Sequence, residues 1–351
     1  MRGKKILKGI GIILLSIGLF VAAVLIFYTV REYRPKSIEL LETGNGTKSL
    51  SEGNSFSVLT YNTGYAALDK EEDFFMDGGS KVQPDTKDVV ERNLAGISNI
   101  LKEQAADFYF LQEVDIDAKR SFHINERAYY EDALNMSSIY ACNFKCDFVP
   151  YPVPPIGKVE AGLLTMTNYQ VDSAKRIKLA ESFSWPVKTC NLKRCMLETR
   201  IPIEGTDKEL VLINFHLEAY DSGEGKKIQS QMLADKLQEE YEAGNYVIAG
   251  GDFNQTFEGL DTYKIHDTDS WVPGTVYKED LPEGFDFAVA DNAPTCRLLN
   301  GPYSGNYEDS QVYVIDGYIV SDNLRVDQVE VIDTDFEYAD HQPVSLRVTL
   351  K

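Results

Sequence analysis

The sequence predicts an α+β globule behind one N-terminal transmembrane helix, and three observations carry that prediction. An uncharged, almost wholly apolar run of about 22 residues, Gly9 to Val30, lies near the start of the chain. About ten short apolar or alternating segments follow, bounded by turn-forming residues and too short for helices. Few stretches show helical spacing, and no repeat of 20–50 residues stands out. At 351 residues the chain can bury a full core.

Gly9 to Val30 is long enough to cross the ~30 Å hydrocarbon core of a bilayer as a helix. Arg2, Lys4, Lys5 and Lys8 precede it; Arg31, Arg34 and Lys36 follow, with Glu32 offsetting one. That bias slightly favours the N-terminus inside and the bulk of the chain outside. The run is long for the apolar part of a cleavable signal, and neither a small-x-small site nor a lipobox-like Cys accompanies it. Residues 1–30 therefore read as a cytoplasmic N-terminus and a signal-anchor helix, single-pass in the cell membrane, with the remainder extracellular. Residues 31–55, polar with Gly44, Gly46 and Gly53, read as a tether, and 56–351 as one domain.

The formal net charge is −20, and seven Lys/Arg against one Glu in the first 36 residues leave about −26 on the rest. Duplex nucleic acid, whose binding is dominated by phosphate neutralisation, is a disfavoured partner for that surface. Cys142 and Cys146 are close in sequence, as are Cys190 and Cys195, with Cys296 left over. Two local disulfides would fit an outside location; unpaired thiols fit equally well.

The globule opens with the strand FSVLTYN, which ends as Asn62 arrives. A long connection follows, carrying Phe74, Phe75 and Met76, which suit a substrate lip, a membrane-dipping edge or a tucked-in plug. Pro84-Asp85-Thr86 opens a helix with Val90, Leu94, Ile97 and Leu101 at helical spacing. DFYFLQEVD is a strand running into Gln112 and Glu113. A helical stretch around Ala128 to Leu134 precedes YPVPPIGKVE, whose prolines prevent regular structure, and then the strand AGLLTMTN. Lys175, Arg176, Lys178, Lys188, Lys193 and Arg194 precede the next strand, MLETRIPI, as solvated surface or as local attraction for a phosphate.

LVLINFHLE alternates cleanly, with Asn214 and His216 on one face near its end. An amphipathic helix follows and ends at Gly244; beyond Asn254 the chain is loop-rich to about Gly305. VYVIDGYIV holds Asp316 inside an apolar run, where a buried carboxylate must be paired. YADHQPVSLRVTL brings Asp340, His341 and a closing strand.

The stretch from Tyr246 to Asn254, YVIAGGDFN, organises the rest. Val247, Ile248 and Ala249 read as a buried strand, ended by Gly250-Gly251 where the backbone needs room. Asp252 and Asn254, two positions apart, point to one side of an extended segment. A carboxylate there can activate water and a carboxamide can hold a phosphate oxygen; an Asx turn is the alternative for this motif alone.

In order, the strand ends deliver Asn62, Glu113, His216, Asp252, Asn254, Asp316, Asp340 and His341. With TYN at 60–62, QE at 112–113, NFHL at 214–217, GDFN at 251–254, IDGYIVSD at 315–322 and DHQPV at 340–344, the chain resembles the endonuclease/exonuclease/phosphatase (DNase I-like) superfamily, and membrane-anchored bacterial members in particular. The resemblance implies a two-sheet β-sandwich flanked by helices, four layers in α/β/β/α order, with the site at the top of both sheets. It implies phosphoester hydrolysis with Mg²⁺, or Mn²⁺ or Ca²⁺, held by Glu113 with Asn62 and Asp340 nearby. Asp252 would orient or deprotonate water, Asn254 and His216 would hold the phosphate, and His341, oriented by Asp316, would stabilise the transferring group. His216 resembles the DNase and sphingomyelinase branches, whereas SDN at 321–323 stands where several relatives have a further His.

The expected activity is that of a membrane-anchored extracellular phosphodiesterase or phosphatase acting on a lipid head group, a nucleotide or another small phosphoester. A surface nuclease of the same family is the alternative, and a non-catalytic binding module on the same fold is a third reading.

Overall fold

Strands whose apolar residues face one another build two stacked sheets. In the computed structural model, which describes residues 2–221, 223–260 and 263–351, one sheet has the strand order Leu324–Val331, Val344–Leu350, Ser55–Asn62, Phe108–Asp115, Gly157–Thr167, Ser137–Val149. The other runs Ile38–Leu40, Ser173–Lys178, Cys195–Glu204, Glu209–His216, Tyr246–Asp252, Asp316–Ser321, Phe285–Ala288, with Leu50–Ser51 pairing off this path. Phe56, Val58 and Phe110 of the first sheet share a dry core with Leu212, Ile248 and Tyr318 of the second. Burial of such side chains contributes roughly 1.5–3 kcal/mol each.

Among the described residues four α-helices complete the fold: α1 (Arg2–Arg31), α2 (Lys87–Gln104), α3 (Glu126–Leu134) and α4 (Glu224–Glu242). Val90, Leu94 and Ile97 of α2, with Tyr130 of α3, cover the outer face of the six-stranded sheet. Leu233 and Leu237 of α4 cover the outer face of the other. The four-layer sandwich expected from the sequence is therefore the observed architecture, and α1 stands outside it, long and apolar enough to cross a membrane.

Two polar ties lock the sheets together near the site. The Tyr318 hydroxyl accepts the Thr60 N–H at 2.7 Å, and Gln112 Nε2 donates to Asn214 Oδ1 at 2.8 Å. Both are buried, where an unmatched polar group would cost free energy.

Several elements differ from the sequence reading. Residues 38–40 and 50–51 lie inside the stretch expected as a tether, yet they pair with Ser173–Lys178 and Cys195–Glu204, so this stretch is laid along the sheet. The segment after the proline turn is already strand from Gly157, and its partner Ser137–Val149 went unread because two register shifts break its alternation. Phe285–Ala288 is an edge strand inside the region expected to be loops. Gly250 and Gly251 do not end their strand but lie within it. A Cβ on Gly250 would meet the Tyr318 ring at 2.4 Å, and one on Gly251 the Phe215 carbonyl at 1.9 Å. The five cysteines are unbonded, and Cys190 packs against the cluster that holds Cys146, so proximity links the two sequence pairs rather than closing either one.

Candidate active site

The register of three adjacent strands sets out the first row of the site. Asp252 pairs across its strand with His216 on one side and Asp316 on the other. On the facing sheet Asn62 pairs with Gln112, one residue before Glu113. Glu113 sits in a break of register between Leu111 and Val114, at φ +55, which turns its side chain out of the sheet alternation. Asp340 and His341 arrive on the loop before Val344–Leu350, with His341 bridged to Cys296. Seven of the eight expected residues, Asn62, Glu113, His216, Asp252, Asn254, Asp340 and His341, line one cleft of about 660 Å³, within the usual range for small-ligand sites. Asp316 stands behind them.

Asp252 Oδ2 is the focus. It accepts from Asn62 Nδ2 at 3.0 Å and lies 3.4 Å from His216 Nε2 and 3.7 Å from His341 Nε2. Burial and the neighbouring Asp316 push the Asp252 carboxyl up to about 7. His341 Nδ1 is 2.8 Å from Asp316 Oδ2, and the Asp316 backbone N–H is itself held by Thr295 Oγ1. Burial opposes charge on the His341 ring, but Asp316, Cys296 and Asp252 outweigh it and raise its pKa well above the ordinary histidine value. His216 is the opposite case. Burial, with the Arg194 guanidinium beside it, lowers its pKa well below that value, so the imidazole is neutral.

Asp340 is pushed up to about 7 by burial, with Glu113 adding repulsion and His341 opposing. Its Oδ1 and the Oδ1 of Asp316 are buried without a hydrogen-bond partner. Such orphaned carboxylate oxygens, that of Asp340 close to Glu113, are hard donors of the kind that hold Mg²⁺, Mn²⁺ or Ca²⁺. Asp252, Asp316 and His341 also bring ligand atoms within 4.8 Å of one another. Asp316 Oδ1 and His341 Nε2 lie outside the His341–Asp316 hydrogen bond, so this trio and the Glu113–Asp340 side both offer donors to a cation.

Two of the expected residues also hold the carboxylates in place. Asn62 accepts the Gly64 N–H through its amide oxygen and donates through its nitrogen to Glu113 and Asp252, bridging the two carboxylates. Asn254 adopts φ +51 and does close an Asx turn, its N–H donating to Asp252 Oδ1 at 2.8 Å, while its Nδ2 donates to the Leu217 carbonyl. Turn and site are the same structure here, because the turn fixes the Asp252 carboxylate.

Of the basic residues around MLETRIPI, only Arg194 lines the cleft, and it is paired with Glu218 at 3.4 Å. Lys175, Lys178, Lys188 and Lys193 are spent on Glu198, Glu181 and Glu32, and Arg176 on the Cys142 and Lys193 carbonyls. Two cleft arginines went unread. Arg120 forks onto Asp115 at 2.9 and 3.1 Å with its guanidinium 3.6 Å from the Tyr65 ring centroid. Arg297 is buried on the carbonyls of Asp69, Glu72 and Gly301, pinning the long connection that closes one side. Neither lies in a motif; an Arg five residues after a strand-end acid was the only signal for Arg120.

No family model matches the chain, and no curated protein sequence matches it. Solved structures do. The fold is that of the endonuclease/exonuclease/phosphatase structures. One from Beutenbergia cavernae superposes with a TM-score of 0.58 at 18% identity, covering 84% of this chain and 72% of that one. One from Bacteroides vulgatus gives 0.55 at 16% identity over 85% of this chain and 100% of its own. Truncated TDP2 from Caenorhabditis elegans gives 0.50 at 16% identity, covering 85% and 99%.

Proposed function

We propose that this chain is a divalent-metal-dependent phosphoester hydrolase, anchored by α1 in the cell membrane with its globule outside, acting on lipid head groups, nucleotides or other small phosphoesters rather than on duplex DNA. The observation that carries the reading is the excess of buried carboxylate around one charged imidazole: Asp252, Asp316 and Asp340, with Glu113, against His341. Mg²⁺, or Mn²⁺ or Ca²⁺, held by Glu113 and Asp340, would supply charge neutralisation at a phosphoryl oxygen.

The protein's own groups do the rest. Asp252, whose carboxyl titrates near neutrality, accepts the proton of the attacking water through Oδ2. The new P–O bond forms to that water oxygen while the ester P–O bond breaks. His341 Nε2, its ring oriented by Asp316, donates to the phosphoryl group or the departing oxygen. Neutral His216 and Asn62 keep Asp252 Oδ2 in place. Arg120 and Arg194 lend positive potential at the wall while remaining paired.

The test uses the full chain and bis(4-nitrophenyl) phosphate. Hydrolysis should stop in EDTA, return with Mg²⁺, and fall at least about a hundredfold in Glu113→Ala. Activity of that variant in metal-free buffer would remove the metal from the scheme. Cleavage of duplex DNA with no turnover of small esters would replace it with the nuclease reading. Outside placement is checked on intact cells with a membrane-impermeant amine label, which should reach the globule; labelling only after lysis would reverse the topology.

A further inference from the structure

The catalytic cleft is walled by more than the polar site. Glu113, Asp252 and His341 line it, and so do Val24, Leu25 and Tyr28 of α1. Apolar walls join them, with Phe75 and Met76 from the long connection, Tyr151 and Ile156 from the proline turn, and Pro186 and Val187 from the loop before Cys195–Glu204. The helix suited to a bilayer is thus itself a wall of the site.

Its position is fastened. Arg31 Nε meets Asp147 Oδ2 at 2.5 Å, Lys193 Nζ meets Glu32 Oε1 at 2.8 Å, and Trp185 Nε1 donates to Thr29 Oγ1 at 3.0 Å. The next residues are laid onto the sheet as the strand Ile38–Leu40, so no slack segment lets the globule swing away. Val24 lies about 10 Å along the helix from Arg31, at 1.5 Å per residue. The part of α1 that lines the cleft is therefore apolar helix, below the charged residues that mark the membrane surface.

The rim has the composition of an interface. Trp185 and Tyr151 are 52% and 68% exposed, and Val153, Val187, Met76 and Phe148 are also exposed. Tyr and Trp gather where one side of a ring meets lipid and the other meets water. Had α1 merely plugged an apolar groove, these side chains would be covered; they remain open with the helix docked.

We infer that the substrate is a lipid of the leaflet facing the globule, entering sideways from the bilayer, with its phosphoester at Asp252 and His341 and the start of its acyl chain in the channel between α1 and the two loops. This rests on the hydrolase reading and narrows it to a membrane-resident phosphoester. A soluble sugar phosphate has no group to fill the apolar part of the cleft, and a nucleotide has only its base. The globule's net charge of about −26 favours a zwitterionic leaflet over an anionic one.

The test needs no knowledge of the head group. The full chain, in nanodiscs of zwitterionic lipid with Mg²⁺, is assayed on alkyl 4-nitrophenyl phosphates from methyl to dodecyl. Water cleaves the aryl P–O bond, giving 4-nitrophenolate and the alkyl phosphate. kcat/KM should climb with chain length, by at most roughly fourfold per methylene, until the channel is full. Partition of long esters into the bilayer would produce part of that climb for any membrane enzyme. The paired substitution Met76→Glu with Val187→Glu separates the two effects, since it leaves partition alone; the ratio of dodecyl to methyl kcat/KM should fall at least about tenfold. Val326→Glu, an exposed position on an outer strand, should keep the wild-type ratio. A flat chain-length series, or an unchanged ratio in the paired variant, overturns the lipid channel while leaving the hydrolase reading intact. No turnover of any ester with metal present overturns the hydrolase reading, and the channel with it.

Discussion

Two buried clusters in this chain use the same residue types and reach opposite electrostatic outcomes. Beneath α4, Glu198, Glu209 and Glu240 meet Arg200, Lys236 and Lys175: Arg200 Nη1 is 2.6 Å from Glu209, Lys236 Nζ is 2.9 Å from Glu198 and 2.5 Å from Glu240, and Arg200 also pairs with Glu240. Every acid there has a cation, and although burial opposes it, Lys236 and Arg200 hold the Glu198 carboxyl below its usual range. At the top of the sheets the balance is broken. Glu113, Asp252, Asp316 and Asp340 share one charged imidazole, and Asp252 and Asp340 are pushed up to about 7. A buried ion pair is settled when its partners are present, and an excess of buried carboxylate is settled by a proton or a cation. The paired cluster holds the fold, and the unpaired one is arranged to take something up.

The comparison breaks most sharply at Asp252. Asp252→Asn should lower kcat by roughly 10²–10⁴, the range of a lost general base. In EDTA the same variant should unfold at equal or higher urea than wild type, because a crowded charge has gone. A large loss of metal-free stability would mean that the carboxylate is structural. Arg200→Met is the mirror image. It strands Glu209 and leaves Glu198 and Glu240 to Lys236 and Lys175 alone, and should cost about 3–5 kcal/mol in urea unfolding, while kcat/KM of the folded fraction stays within about twofold. A fall in rate without a fall in stability would join the two clusters into one functional network.

A smaller effect is expected at the seam between the sheets. Tyr318→Phe removes the group that accepts the Thr60 N–H and stands 2.7 Å from the Val344 carbonyl, leaving both buried without that partner. The cost should be about 1–3 kcal/mol in urea unfolding. No change would show that the backbone pairs elsewhere.

Much of the site was legible because strands alternate and end in polar residues. LVLINFHLE shows His216 directly, and YVIAGGDFN shows Asp252 by its apolar run. What could not be read depended on distant partners. Arg194 looks like its neighbours Lys188 and Lys193 in sequence, yet only its guanidinium lies beside His216, because Glu218 and the His216 carbonyl hold it there. The 31–55 stretch has the composition of a tether, but short strands at 38–40 and 50–51 are recruited by sheet edges that composition does not reveal. For YVIAGGDFN alone an Asx turn and a site carboxylate are alternatives, yet the Asp252 side chain closes the turn and also lines the cleft. That α1 forms a wall of the cleft was invisible, since helix and site are joined only by contacts across the whole chain.

The last prediction sets the two clusters against each other along the pH axis. Asp252 and Asp340 have folded-state pKa values near 7, above the ordinary 3.8, so their contribution is fully present below about pH 4 and is lost as pH rises through 7. Glu198 has a folded-state value below the ordinary 4.5, so its contribution is present above that and is lost as pH falls through the lowered value. In EDTA, Tm should therefore be higher at pH 6 than at pH 8, by a few degrees, and should fall again once the pH drops below about 4. Mg²⁺ offsets the crowded carboxylates in their ionised form, so it should raise Tm more at pH 8 than at pH 6. Thermal unfolding of the detergent-solubilised chain, with and without Mg²⁺ at the three pH values, reads all of this. A metal-free Tm that rises from pH 6 to pH 8 would mean that the site carboxylates are already paired, and the distinction between the clusters would fail.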